Sequence, residues 1–286
     1  MPSETRRRDV ENQWCPGCSN FGILAAVKKS LALLEIAPRD VCLVSGIGQA
    51  AKLPHYVSGN VFNGLHGRAI PAATGIKVAN PNLTVLVTTG DGDAYGEGGN
   101  HLLHAMRRNP DITLVVHNNE LYALTKGQGS PTTPLGERTR LQFSGVEEEP
   151  MNILAVAIAQ DCGFVARGFA GDIDHLADLL VRAVRHRGFS LIDVIQPCIT
   201  WGPRPVSWYK ERVRKLDGAH DPRDRTAALR LALEASDQIP IGVLYEAPER
   251  AAFGERYRIR TEGRPLAALP PLNEKEVLAR LERFKR

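Results

Sequence analysis

The chain has 286 residues, of which 43% are hydrophobic and 24% charged, and its formal net charge is +4. That describes a globular protein able to bury a substantial core. The basic residues are too scattered for nucleic-acid binding, and the apolar runs are strand-sized, too short to cross a membrane.

Residues 1–9 lack the apolar stretch of a secretory signal, so a cytoplasmic setting with reduced thiols is expected. The first periodic segment, 23–34, places Leu24, Val27, Leu31 and Leu34 on one helical face. A short apolar strand, 41–44, then runs into Ser45-Gly46-Ile47-Gly48-Gln49. A second strand, 83–89, ends in Gly90-Asp91-Gly92-Asp93; a helix is expected over 96–109, and a third strand, 112–117, ends in Asn118-Asn119. Helices over 151–160 and 172–185 flank a strand near 163–166, and a strand over 190–195 leads into Gln196-Pro197-Cys198. This alternation predicts an α/β fold, a mostly parallel sheet with helices on both faces. Beyond Cys198 the chain turns aromatic and mixed in charge, with a helix over 225–235, a strand over 242–245 and an amphipathic helix over 273–286. Residues 1–200 therefore read as one α/β domain, and 201–286 as an irregular C-terminal extension packing on that domain or on a partner subunit.

In open α/β sheets, ligands bind in the crevice at the carboxyl ends of the strands. Gly-Asp-Gly alone is a common tight turn, but here a buried strand precedes it and Asn119 ends the next strand. Mg²⁺ takes one or two carboxylates and leaves the rest of its octahedron to phosphate oxygens and water. Asp91 and Asn119, with a main-chain carbonyl just beyond Asn119, suit that role. The flanking glycines allow close backbone approach to a phosphate, and the following helix would aim its first amides at the same anion. A Mg²⁺-diphosphate site of this kind points to a thiamine diphosphate enzyme. His117 precedes the ligands on a strand and reads as a packed core residue.

Six segments in order carry a more specific signal. They are Trp14-Cys15-Pro16-Gly17-Cys18, Ser45-Gly46-Ile47-Gly48, Leu65-His66-Gly67-Arg68, Gly90-Asp91-Gly92-Asp93, His117-Asn118-Asn119 with Leu124-Thr125-Lys126-Gly127-Gln128, and Gln196-Pro197-Cys198. From about residue 14 to 212 the chain resembles the β subunit of 2-oxoacid:ferredoxin oxidoreductases. The resemblance implies that Asp91, Asn119 and the backbone oxygen of Leu121 hold Mg²⁺. It implies that Gly46, Ile47, Gly48, Gln49, His66, Gly90, Gly92, Asp93 and Leu124 line thiamine diphosphate. It also implies that Lys126 receives the 2-oxoacid carboxylate beside Leu124, that Lys52 lies near the substrate, and that His66 contacts cofactor or substrate.

Five cysteines, Cys15, Cys18, Cys42, Cys162 and Cys198, are an odd number and argue against a disulfide framework. The resemblance implies a [4Fe–4S] cluster held by Cys15, Cys18 and Cys198, thiolates being strong soft donors to iron. The family's remaining cysteine falls where this chain has Gln49. Three outcomes follow: completion by another ligand, Cys42 being nearest in sequence; a three-iron or labile cluster; or loss of the cluster. A zinc or thioredoxin-like reading of the Cys pair is weaker, because no second ligand pair exists.

The implied reaction is oxidative decarboxylation of a 2-oxoacid (2-oxoglutarate or pyruvate) with coenzyme A, giving acyl-CoA and reduced ferredoxin. The implied assembly is an obligate α subunit in an (αβ)₂ enzyme. The competing readings are a non-oxidative thiamine diphosphate decarboxylase subunit without a cluster, and a non-catalytic cluster-binding scaffold.

Overall fold

The computed structural model describes residues 10–234, 236–255, 263–271 and 273–284. Its strands are β1 (Val41–Ser45), β2 (Asn60–Asn63), β3 (Thr84–Gly90), β4 (Thr113–Asn118), β5 (Leu121–Tyr122), β6 (Gln128–Gly129), β7 (Phe164–Phe169), β8 (Ser190–Ile195), β9 (Val213–Lys215) and β10 (Ile239–Glu246). Eight of them form one sheet in the order β2-β1-β3-β4-β8-β7-β10-β9, and β5 with β6 makes a small separate hairpin. The six strands from β2 to β7 run parallel, so their carboxyl ends share one edge. β10 lies antiparallel on β7, and β9 lies parallel to β10.

The strands are apolar on both faces because helices cover both. On one face pack α1 (Asn20–Leu33) and, later in the chain, a second long helix over 173–185, with Ile23, Val27, Leu31, Leu176 and Leu180 fully buried. On the other pack α2 (Ala69–Ala79), α3 (Gly99–Arg108), α4 (Ile153–Ala159) and a helix over 225–233, with Ile70, Leu102, Met106 and Ala228 in the core. The long helix is α5 (Ile173–Arg185), and α6 (Val206–Arg212), α7 (Arg225–Leu233) and α8 (Glu274–Glu282) complete the set. Within β1 the pleat sends Val41 and Leu43 to the α1 face and Cys42 and Val44 to the α2 face. Side-chain caps start four helices: Asn152 accepts from Ala155 N (3.0 Å), Asp172 from His175 N (3.2 Å), Asp224 from Ala227 N (3.0 Å) and Asn273 from Glu276 N (2.9 Å).

The expected α/β architecture is present, with element ends shifted by one to a few residues. Several features, the β5–β6 hairpin and α6 among them, were not anticipated. α2 contains Pro71 and Gly75, which mask its periodicity, yet Pro71 is the third helical residue, where the amide lacks an intrahelical partner anyway. The helix expected over 96–109 is divided into a wide helical turn at Gly92–Glu97, directly after Asp91, and α3. β2 and β9 are too short to display alternation. The strand expected over 242–245 begins at Ile239, so the C-terminal extension continues the main sheet. Ala235 and residues 285–286, included in the expected helices, lie outside the described residues.

Candidate active site

The segments following β1, β3 and β4 converge on a cavity at the carboxyl edge of the sheet. Ile47, Gly48, Gln49, His66, Gly90, Asp91, Gly92, Asp93, Asn119, Leu121 and Leu124 line it, joined by Ala50, Tyr122, Ala123 and Thr125. Asp91 is 1% exposed, and its Oδ2 accepts from Ser130 Oγ (2.5 Å) and Thr132 Oγ1 (2.8 Å). Burial pushes its carboxyl up to about 6, against the opposing pull of those two hydroxyls. A cation beside it would stabilise the charged form. Asn119 is oriented from both sides of its amide: Oδ1 accepts from Leu121 N (3.0 Å), and Nδ2 donates to Gln196 Oε1 (3.2 Å). The carbonyl oxygen retains a second lone pair. One carboxylate, one amide oxygen and nearby main-chain carbonyls form the hard, sparse donor set that suits Mg²⁺ completed by phosphate.

Asp93, 3% exposed, organises the opposite wall. Its carboxylate accepts from Gly67 N (2.7 Å) and Thr89 Oγ1, and pairs with His66 Nδ1 at 2.8 Å. A neutral His66 that donates from Nδ1 keeps Nε2 as an acceptor. Gly46 makes this possible, because a Cβ there would collide with the Asp93 carboxylate. Glu120, between Asn119 and Leu121, adopts a left-handed backbone (φ 62°), and its carboxylate meets Tyr209 OH (3.0 Å) and Arg204 Nη1 (3.4 Å). Burial raises its carboxyl to about 7 while Tyr209 and Arg204 pull the other way. Below the cavity, Asp193 accepts from Tyr95 OH (2.7 Å) and Asn118 Nδ2 (3.1 Å), fixing the end of β4.

A second cavity adjoins the first. Cys15, Cys18 and Cys198 line it together with Trp14, Gln196, Thr200 and Trp201, while Gln49, Asn119 and Ala123 face both cavities. The Cys pair sits on a turn in which Cys18 N bonds Cys15 O (3.0 Å) and Gly17 takes φ +78°. Ser19 Oγ donates to Pro197 O (2.8 Å), tying this turn to the Cys198 segment. Trp201 N and Thr200 Oγ1 each donate at 3.4 Å, to Cys198 Sγ and Cys15 Sγ. Burial raises the Cys18 thiol, and the nearby Cys198 and Cys15 push it the same way. All five cysteines are free. Among the described residues no group of three or more His, Cys, Asp or Glu could hold a single metal ion. A cluster has a different requirement, since each thiolate binds a different iron.

Cys42 cannot complete the cysteine site. It lies 5% exposed in the core on the α2 face, opposite the face on which Cys18 packs, because adjacent residues of β1 alternate. Lys52 and Lys126 lie outside both cavity linings. Lys52 Nζ bonds Gln13 O (3.2 Å), and Lys126 is exposed at the β5–β6 turn with φ 82°. His117 is buried, its Nδ1 2.7 Å from Asn20 Oδ1. Ser130 and Thr132, which hold Asp91, went unidentified in the sequence; the polar run Ser130-Pro131-Thr132-Thr133 was their only local signal.

Residues 44–194 match the family described as thiamine pyrophosphate enzyme, C-terminal TPP binding domain, and residues 198–261 match the family of the C-terminal part of the pyruvate ferredoxin oxidoreductase beta subunit. The chain is 40% identical to 2-oxoacid:ferredoxin oxidoreductase 1, subunit beta, of Aeropyrum pernix, over 94% of this chain and 90% of the relative. It is 41% identical to the 2-oxoacid:ferredoxin oxidoreductase subunit beta of Saccharolobus solfataricus, over 87% of each. A solved 2-oxoglutarate:ferredoxin oxidoreductase from Magnetococcus marinus, with 2-oxoglutarate, coenzyme A and succinyl-CoA bound, aligns with a TM-score of 0.90 and 34% identity, covering 98% of this chain and 95% of that one.

Proposed function

The chain belongs to the 2-oxoacid:ferredoxin oxidoreductase β subunits, a thiamine-diphosphate-dependent enzyme family, and on that premise we propose that it serves CoA-dependent oxidative decarboxylation of 2-oxoglutarate. The observation that carries this reading is the meeting of Asp91 and Asn119, from adjacent strand ends, in one cavity with His66 and Ile47, Gly48 and Gln49. When bound, thiamine diphosphate supplies the carbon nucleophile and the electron sink for loss of CO₂. Asp91, Asn119 Oδ1 and the Leu121 carbonyl hold Mg²⁺ and thereby the diphosphate. Gly90, Gly92 and Asp93 line the cofactor, and Asp93 fixes the His66 ring so that Nε2 can receive a proton or a hydrogen bond. Leu124, exposed at the cavity, contacts the substrate, and Lys126 and Lys52, outside the cavity lining, supply positive charge towards its carboxylate. The ligands of the Magnetococcus relative support 2-oxoglutarate and coenzyme A as substrates.

Cys15, Cys18 and Cys198 would hold an iron–sulfur centre, which would supply single-electron chemistry towards ferredoxin. That Gln49, Asn119 and Ala123 line both cavities supports a short electron path from the cofactor to such a centre. The remaining half of the thiamine diphosphate site comes from an α subunit, in an (αβ)₂ assembly. The test is anaerobic purification of the chain with its co-expressed partner, analysis for thiamine diphosphate and Mg²⁺, and viologen reduction with a panel of 2-oxoacids. The expected result is stoichiometric cofactor and CoA-dependent reduction that is fastest with 2-oxoglutarate. CO₂ release without viologen reduction would favour a non-oxidative decarboxylase, and a complex lacking the cofactor would overturn the reading.

A further inference from the structure

We infer that Cys15, Cys18, Cys198 and the side-chain oxygen of Gln49 form a three-thiolate, one-oxygen iron–sulfur site, whose fourth iron is exchangeable. The inference rests on the proposed function and deepens it.

Three observations carry it. Three free thiols from two distant segments line one cavity, and Gln49 lines the same cavity. Gln49 Oε1 is buried without a hydrogen-bond partner, a costly condition for an amide oxygen unless a ligand satisfies it. Trp14 Nε1 donates to the Gln49 main-chain oxygen at 2.8 Å, anchoring that residue against the Cys15 turn. No other thiol can substitute. Cys42 packs on the opposite sheet face, and Cys162 is fully buried in that same core.

A neutral amide oxygen is a far weaker donor to iron than a thiolate. The iron facing Gln49 is therefore the one lost on oxidation: [4Fe–4S]²⁺ gives [3Fe–4S]⁺, Fe²⁺ and one electron, which ferricyanide accepts. Fe²⁺ with dithionite reverses the step. Because Gln49 also lines the cofactor cavity, the exchangeable corner is the one nearest the proposed thiamine diphosphate.

The experiment uses the anaerobically purified complex, reconstituted with Fe²⁺ and sulfide and then oxidised with ferricyanide. The parent should lose about one iron per chain and develop the low-temperature EPR signal of an oxidised three-iron cluster, both reversed by Fe²⁺ and dithionite. Gln49→Cys should keep its iron and show no such signal. Gln49→Ala, which adds no donor, should lose iron faster than the parent and serves as the control if the cysteine variant does not fold. Cyanide added to the reduced parent should shift its EPR spectrum by displacing the Gln49 oxygen from the fourth iron and leave that of Gln49→Cys unchanged. Retention of all iron by the oxidised parent, or iron loss from Gln49→Ala at the parental rate, would overturn the inference. Failure of the reconstituted complex to hold iron and sulfide would also overturn it, while intact thiamine diphosphate content would leave the proposed thiamine diphosphate site standing.

Discussion

The two cavities at the sheet edge are built from opposite chemistries and differ in how they are closed. The oxygen-lined cavity is secured by redundancy: two hydroxyls hold Asp91, two partners orient Asn119, and three donors converge on Asp93. The sulfur-lined cavity has three thiols and one orphaned amide oxygen. A ligand cage needs its full set of partners only where no incoming ligand will supply them. Mg²⁺ takes much of its shell from diphosphate and water, whereas an iron–sulfur cluster takes nearly all of its outer ligands from the protein.

The sharpest way to separate the cavities is Asp91→Asn. Removing one charged partner of a desolvated contact costs about 2–5 kcal/mol, roughly 30-fold or more in affinity. Mg²⁺-dependent retention of thiamine diphosphate, followed by calorimetry of the complex, should fall by at least that much, while iron and sulfide content stays at the parental level. Loss of both together would show that the cavities are one cooperative unit. Ser130→Ala with Thr132→Val leaves the ligand in place and removes its supports; such outer contacts are worth roughly 10- to 100-fold in metal affinity. Gly46→Ala forces a methyl group against the Asp93 carboxylate and should cost about 1–3 kcal/mol in urea unfolding, the usual penalty of overpacking.

The smallest effect is a pH dependence. Burial lowers the His117 imidazole from 6.5 to about 3, so the unfolded chain takes up a proton that the folded chain refuses. The stability His117 contributes is complete above about 6.5 and is lost progressively as pH falls towards about 3. His117→Gln should flatten that part of the stability-versus-pH curve, as read from unfolding midpoints.

What the sequence revealed depended on the range of the interaction. β1, β3 and β4 were legible because each is built on a continuous apolar run, β8 because Asp193 alone interrupts one, and Asp91 and Asn119 because each follows such a run. Ser130 and Thr132 were not, since their bonds to Asp91 span 39 and 41 residues and depend on the β5–β6 hairpin. β2 and β9 are strands by virtue of their neighbours rather than their composition. The departure at Gln49 could be read from the sequence, but the exclusion of Cys42 required knowing which way β1 faces.

The reversal of chain direction at β10 has a consequence for truncated forms of the polypeptide. A product ending just after Cys198 would keep all the oxygen donors and all three thiols, yet it would strip the cover from β7 and leave its hydrogen-bonding row open to solvent. It would also release Glu120 from Arg204 and Tyr209. Such a fragment would be chemically complete and mechanically unsupported, prone to recruit a foreign strand where β10 belongs.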